Sequence, residues 1–139
     1  MDQAPAPKET PAKPEPAGPL RLYAITSREA LAKMGGVRGK LGAQFGHAYL
    51  HAYWDAETTT PEAARNYRHQ GRAAKIALVV ETDAELEAIY KAHKGVCGRT
   101  FVVDAGLTVF DGPTLTMVGL GPITRADLLA GVADLKSLT

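Results

Sequence analysis

Lys40, Gln44, His47 and His51 stand four, three and four positions apart, a spacing that gathers them on one side of a helix at about 100° per residue. A neighbouring stripe of Leu41, Phe45, Ala48 and Ala52 reads as the side that faces the core. A row of hydrogen-bond donors beside a buried seam suits an ammonium and an amide that stabilise negative charge developing on an oxygen. A solvated helix face has the same spacing, and periodicity alone leaves the two readings level. His47 and His51 also have the separation of a helical metal pair, but Ala48 stands where the pattern HExxH needs Glu and no third ligand presents itself. A structural or hydrogen-bonding histidine is the better reading of both.

A second group of polar residues follows an apolar strand, at Asp104-Ala-Gly-Leu-Thr108. Loops in that position often carry function, although an Asp-x-Gly turn also forms for geometric reasons alone. Beyond it, Thr114 and Thr116 flank Leu115 with the alternation of a strand that shows hydroxyls on one face. A third group is cationic: Arg65, Arg68, His69, Arg72 and Lys75 surround Tyr67, and Arg38 stands close to Lys40. Such a cluster holds phosphates locally, or is simply a solvated loop. No GxSxG elbow is present, and Cys97 has only a distant His93 as a partner, so a serine or cysteine nucleophile has little support.

The elements that would position these residues can be read from periodicity. Leu20–Thr26 suits a strand, a glycine-rich loop leads through Met34–Gly39, and a helix runs from about Lys40 to Ala56. A polar, basic loop spans Glu57 to about Arg72. Lys75–Val80 is a near-continuous apolar strand, expected to be covered on both faces. Thr82 and Glu85 have capping-box spacing at the start of a helix carrying Leu86, Ile89, Tyr90 and His93, with Gly95 as its stop. Arg99–Val103 and Leu115–Leu120 read as strands, and Thr124 with Asp127 opens a last amphipathic helix through Leu128, Leu129, Val132 and Leu135. The order β, α, β, α, β, β, α favours a mixed sheet with helices on both sides.

At 139 residues, 45% of them hydrophobic, the chain has the size and core for one domain. Six prolines between Pro5 and Pro19 and little apolar surface make residues 1–19 a disordered tail, leaving 20–139 as the folded domain. A net charge of +1 argues against a protein that holds nucleic acid by its overall field. A single cysteine rules out an intramolecular disulfide, and no apolar run reaches membrane-spanning length. A soluble, cytoplasmic protein is expected.

Two stretches resemble the type 2 peptidyl-tRNA hydrolase family. Gly39–Ala48, GKLGAQFGHA, is similar to its helix motif GKxxAQxxHA, and Asp104–Pro122 is similar to its second signature, DAGxT followed by a GTxT-like turn and a strand ending in IGP. The resemblance implies a four-stranded mixed sheet sandwiched between helices and a cofactor-free, metal-independent homodimer that cleaves the ester between peptide and tRNA. It also implies an active centre of Lys40, Gln44, Asp104, Thr108 and Thr116, with His47 close by. In that centre Lys40 and Gln44 would face the oxyanion, Asp104 would handle water, and the threonines would position water or substrate. Arg38, Arg65, Arg68, Arg72 and Lys75 would then bind tRNA. Leu107 and Val109 depart from the family, which usually has a basic and a polar residue there, and so strip polar groups from the rim. Two other readings compete: a binding module that kept the fold without hydrolysis, and a metal-dependent hydrolase built on His47 and His51.

Overall fold

A computed structural model describes residues 18–104 and 114–139. The elements run β1 (Arg21–Ser27), α1 (Arg28–Met34), α2 (Arg38–Thr59), α3 (Pro61–His69), β2 (Lys75–Val80), α4 (Asp83–Ala92), β3 (Arg99–Asp104) and β4 (Thr114–Ile123). Two 3-10 turns and a short β5 (Lys136–Ser137) follow. The α/β domain is built on a sheet of order β3-β4-β1-β2-β5, in which β1 and β2 are parallel and the other neighbours antiparallel.

Side-chain alternation on the central strands explains the layers. Tyr23 and Ile25 of β1 join Val118 and Leu120 of β4 and Leu86 and Ile89 of α4 on one face. Leu22 and Ala24 point the other way, to Ala48 and Ala52 of α2 and Tyr67 of α3. The sheet is therefore covered on both sides. Helix α4 starts as its sequence implies: the Thr82 hydroxyl accepts from the Glu85 backbone, and the Glu85 carboxylate reaches back to the Thr82 N–H.

Four expectations require correction. The sheet has five strands rather than four, because β5 pairs with β2 through Leu78 and Val79. The stretch before Lys40 is not all loop: Ser27 caps α1 by accepting from the Ala30 N–H, and Gly35 ends the helix with φ of 63°. The basic loop contains α3, with Pro61 at its first position and Ala64 and Tyr67 buried. The final helix does not form, because Leu128 is extended and Ala130 and Gly131 both have positive φ. Leu128, Val132 and Leu135 still pack on the core, from turns instead.

His93 ties those turns to α4. Fully buried, its ring places Nδ1 2.7 Å from the Ile89 carbonyl oxygen, while the Leu129 N–H points at Nε2 from 3.1 Å. A backbone N–H only donates, so Nε2 carries the lone pair and Nδ1 the hydrogen. Burial lowers the pKa of this imidazole, the Ile89 bond opposes that shift, and the Arg99 charge adds to it. Below the ordinary histidine range the unfolded chain thus binds a proton that the folded chain refuses. Stability should be level above about pH 6.5 and fall by up to about 1.4 kcal/mol per pH unit between there and the lowered native pKa. Urea titrations from pH 7.5 to 5 should show a shallower fall in His93→Gln; superimposable profiles would contradict this.

Candidate active site

Helix α2 meets the sheet almost backbone to backbone. Ala48, Ala52 and Ala56 are completely buried along it, and the sheet opposes them with Gly119 of β4 and, just before β3, Gly98. A Cβ on Gly119 would run into the Ala48 carbonyl, and one on Gly98 into the Ala52 carbonyl. Only glycine permits this approach. It brings Gln44, one turn before Ala48, and Lys40, a further turn before that, down onto the sheet where β3 ends and β4 begins.

At that corner Lys40 Nζ lies 2.6 Å from Asp104 Oδ2. The Asp104 side chain is only 4% exposed and that of Lys40 22%, so the carboxylate is enclosed while the ammonium keeps an opening to solvent. A lysine has three N–H donors, which leaves others for a ligand oxygen.

The neighbouring pair depends on a bulge. Val102 of β3 faces Met117 and Val103 faces Leu115, so Thr116 is an extra residue in β4. Met117 packs with Ala24 and Ala48 on the α2 side, and Thr116, next to it in sequence, reaches Gln44 on that same side instead of alternating away. Its Oγ1 donates to the Val102 carbonyl at 3.0 Å and accepts from Gln44 Nε2 at 3.3 Å. With its one hydrogen spent on a carbonyl, the hydroxyl can only accept, and that fixes which end of the Gln44 amide faces it. Thr26 Oγ1 donates to the Thr116 carbonyl at 2.7 Å and anchors the bulge to β1.

Lys40, Gln44, Asp104 and Thr116 are thus brought together from α2, β3 and β4. Thr108 lies outside the described residues, as do Leu107 and Val109. His47 is exposed on the outer side of α2, its ring 5.3 Å from that of His51, which in turn stacks on Trp54 at 5.2 Å. Among the described residues no three His, Cys, Asp or Glu side chains gather as a metal-binding group. Burial pushes the Cys97 thiol up to about 12, so it stays protonated near neutral pH and makes a poor nucleophile. Arg65, Arg68, Arg72 and Lys75 are exposed around α3 and the start of β2, and Arg38 is exposed where α2 begins. Two contributors were missed in the sequence: Thr26, readable only as a hydroxyl inside an apolar strand, and the Thr116 bulge, which no residue type announces.

A family model described as peptidyl-tRNA hydrolase PTH2 matches residues 23–138. The chain belongs to that family. It is 38% identical over 107 residues to a Drosophila melanogaster protein named probable peptidyl-tRNA hydrolase 2, a match covering 76% of this chain and 56% of the fly protein. Proteins named peptidyl-tRNA hydrolase from Methanococcus vannielii and Methanocaldococcus jannaschii are each 36% identical. The first match covers 83% of this chain and 97% of the relative, the second 61% and 74%. Both PTH2-like stretches contribute to the corner described above: the helix stretch supplies Lys40 and Gln44, and the second supplies Asp104 and Thr116.

The glycine contact can be tested by its sign. Alanine in place of a strand glycine ordinarily stabilises, but Gly119→Ala should destabilise by about 1–3 kcal/mol through overpacking. It should also slow turnover, because α2 must lift away from β4. An unchanged urea midpoint would show that the helix does not need the missing side chain.

Proposed function

We infer that this chain hydrolyses the ester joining peptide to tRNA, using Lys40 and Asp104 as the central pair. One observation carries the assignment of roles: a lysine with solvent access sits 2.6 Å from an enclosed carboxylate, in a member of the PTH2 family. An ester carbonyl resting at Lys40 would receive donors from its ammonium and from the free N–H of Gln44. As water adds to the carbonyl carbon, the oxygen gains the charge those donors stabilise. Asp104, at the other side of Lys40, accepts a hydrogen bond from the attacking water and orients it. Collapse of the tetrahedral intermediate breaks the bond to the ribose oxygen. Water supplies a hydroxyl to the acyl carbon and a proton to the ribose oxygen, so peptide acid and free tRNA leave.

Thr116 holds Gln44 in position, and Thr108 completes the set as the family resemblance implies. Arg38, Arg65, Arg68, Arg72 and Lys75 supply the charge for tRNA phosphates. The same reading makes the chain a cytoplasmic homodimer: the dimer rests on the resemblance, and the compartment on a lone unpaired cysteine.

Release of a labelled N-blocked aminoacyl group from tRNA by the purified chain tests this directly. Wild type should turn over, and Lys40→Ala and Asp104→Ala should each lose on the order of 10²-fold or more in kcat while keeping a native circular dichroism spectrum. Near-normal turnover in either folded variant would remove that residue from the chemistry.

A further inference from the structure

On the other flank of α2 lies a groove of about 560 Å³ that the hydrolytic corner does not use. Lys40 and Tyr49 are nine positions apart, as are Gln44 and Tyr53. Nine positions are two and a half turns, which sets each pair on opposite sides of the helix and about 13 Å apart along its axis. Leu22, Tyr49, Tyr53 and Tyr67 form the groove's walls, and Arg68 and Lys75 stand among its lining residues.

The tyrosine hydroxyls are largely engaged by the protein. Tyr53 donates to the Ala64 carbonyl at 3.3 Å and the buried Tyr67 to the Ala74 carbonyl at 3.2 Å, so the ring surface open to a ligand is chiefly that of the half-buried Tyr49 and Tyr53, with Tyr67 as backing. Lys75 is held at the groove by the Ala73 carbonyl at 2.9 Å and the Tyr67 hydroxyl at 3.5 Å, with a third N–H to spare. Charge selects among the occupants an aromatic groove could take. Over residues 61–75 four Lys or Arg stand against a single Glu, an excess of three in a chain whose whole net charge is +1. An apolar peptide would gain nothing from that excess; an unpaired nucleotide has both a π-face and a phosphate to match it.

We propose that this groove binds one unpaired ribonucleotide, its base against the tyrosine walls and its phosphate at Arg68 and Lys75. The distance from Lys40 makes it a nucleotide other than the one carrying the ester. That the strand is the substrate's tRNA rests on the function proposed above; the nucleotide site itself does not.

Gly46 gives a clean test. It lines the groove from an exposed position on α2, and a Cβ added there meets nothing within 4 Å. Gly46→Leu should therefore fill the groove, leave the charge unchanged and favour the helix. With full-length protein and a fluorescein-labelled ribotetracytidylate, anisotropy should show wild-type binding weakened about tenfold or more by Gly46→Leu. Lys75→Gln should reduce the slope of log affinity against log salt by about 0.7. On N-blocked aminoacyl-tRNA, Gly46→Leu should raise KM and spare kcat. Wild-type affinity in folded Gly46→Leu, or displacement of the RNA by an apolar tetrapeptide, would overturn the proposal. Oligonucleotide binding that responds to both variants, in a wild-type chain that never cleaves the tRNA ester, would instead refute the hydrolase reading and leave the nucleotide site standing.

Discussion

The contact of α2 with the sheet through alanines and glycines governs where Lys40 and Gln44 can meet Asp104 and Thr116. A helix normally packs on a sheet at side-chain distance, with room for leucines between. Here Ala48 and Ala52 lie on Gly119 and Gly98, and the helix comes close enough for a glutamine to reach a threonine hydroxyl in the sheet. Glutamine is rarely buried without partners, and Gln44 is only 5% exposed. Its bond to Thr116 compensates for part of that burial, and the bulge that turns Thr116 towards α2 makes the bond possible. Packing and polar chemistry are thus one arrangement.

The ion pair has a different relation to the fold. Enclosing a carboxylate is costly unless a cation and hydrogen bonds accompany it, and Lys40 meets Asp104 within 2.6 Å. Full enclosure of both would close the ammonium's remaining donors to a ligand. Leaving the lysine partly open keeps donors available to an incoming oxygen and spares part of the cost of desolvating its charge.

Much of this was legible in sequence because periodicity reports burial. Strand β2 has the bounds its apolar run implied, and the α4 capping box formed from Thr82 and Glu85 as their spacing required. The errors fall where a local signal was short or ambiguous. Helix α1 has seven residues, too few to show an amphipathic repeat, although Ser27 and Gly35 mark both its ends. Leu128, Val132 and Leu135 bury as a helix would, but Ala130 and Gly131 break the backbone between them. On α2 the expected core side of Leu41, Phe45, Ala48 and Ala52 does face the sheet, and Gln44, read as part of a polar stripe, is buried beside it. What the pattern did not show is that Ala48 and Ala52 meet glycines almost backbone to backbone, because nothing in the local sequence pairs them with Gly119 and Gly98. Lys40, Gln44, Asp104 and Thr116 could be named from their motifs; that a β-bulge and a threonine from β1 hold them in place could not.

Whether Lys40 and Asp104 act as one catalytic unit is best decided by a double-mutant cycle on kcat for N-blocked aminoacyl-tRNA. If the two serve a single step from adjacent positions, Lys40→Ala combined with Asp104→Ala should be little slower than the poorer single variant, because a unit already disabled cannot be lost twice. Losses that multiply in the double variant would mean that the two side chains contribute independently, and the pairing seen at 2.6 Å would then not be the basis of the reaction.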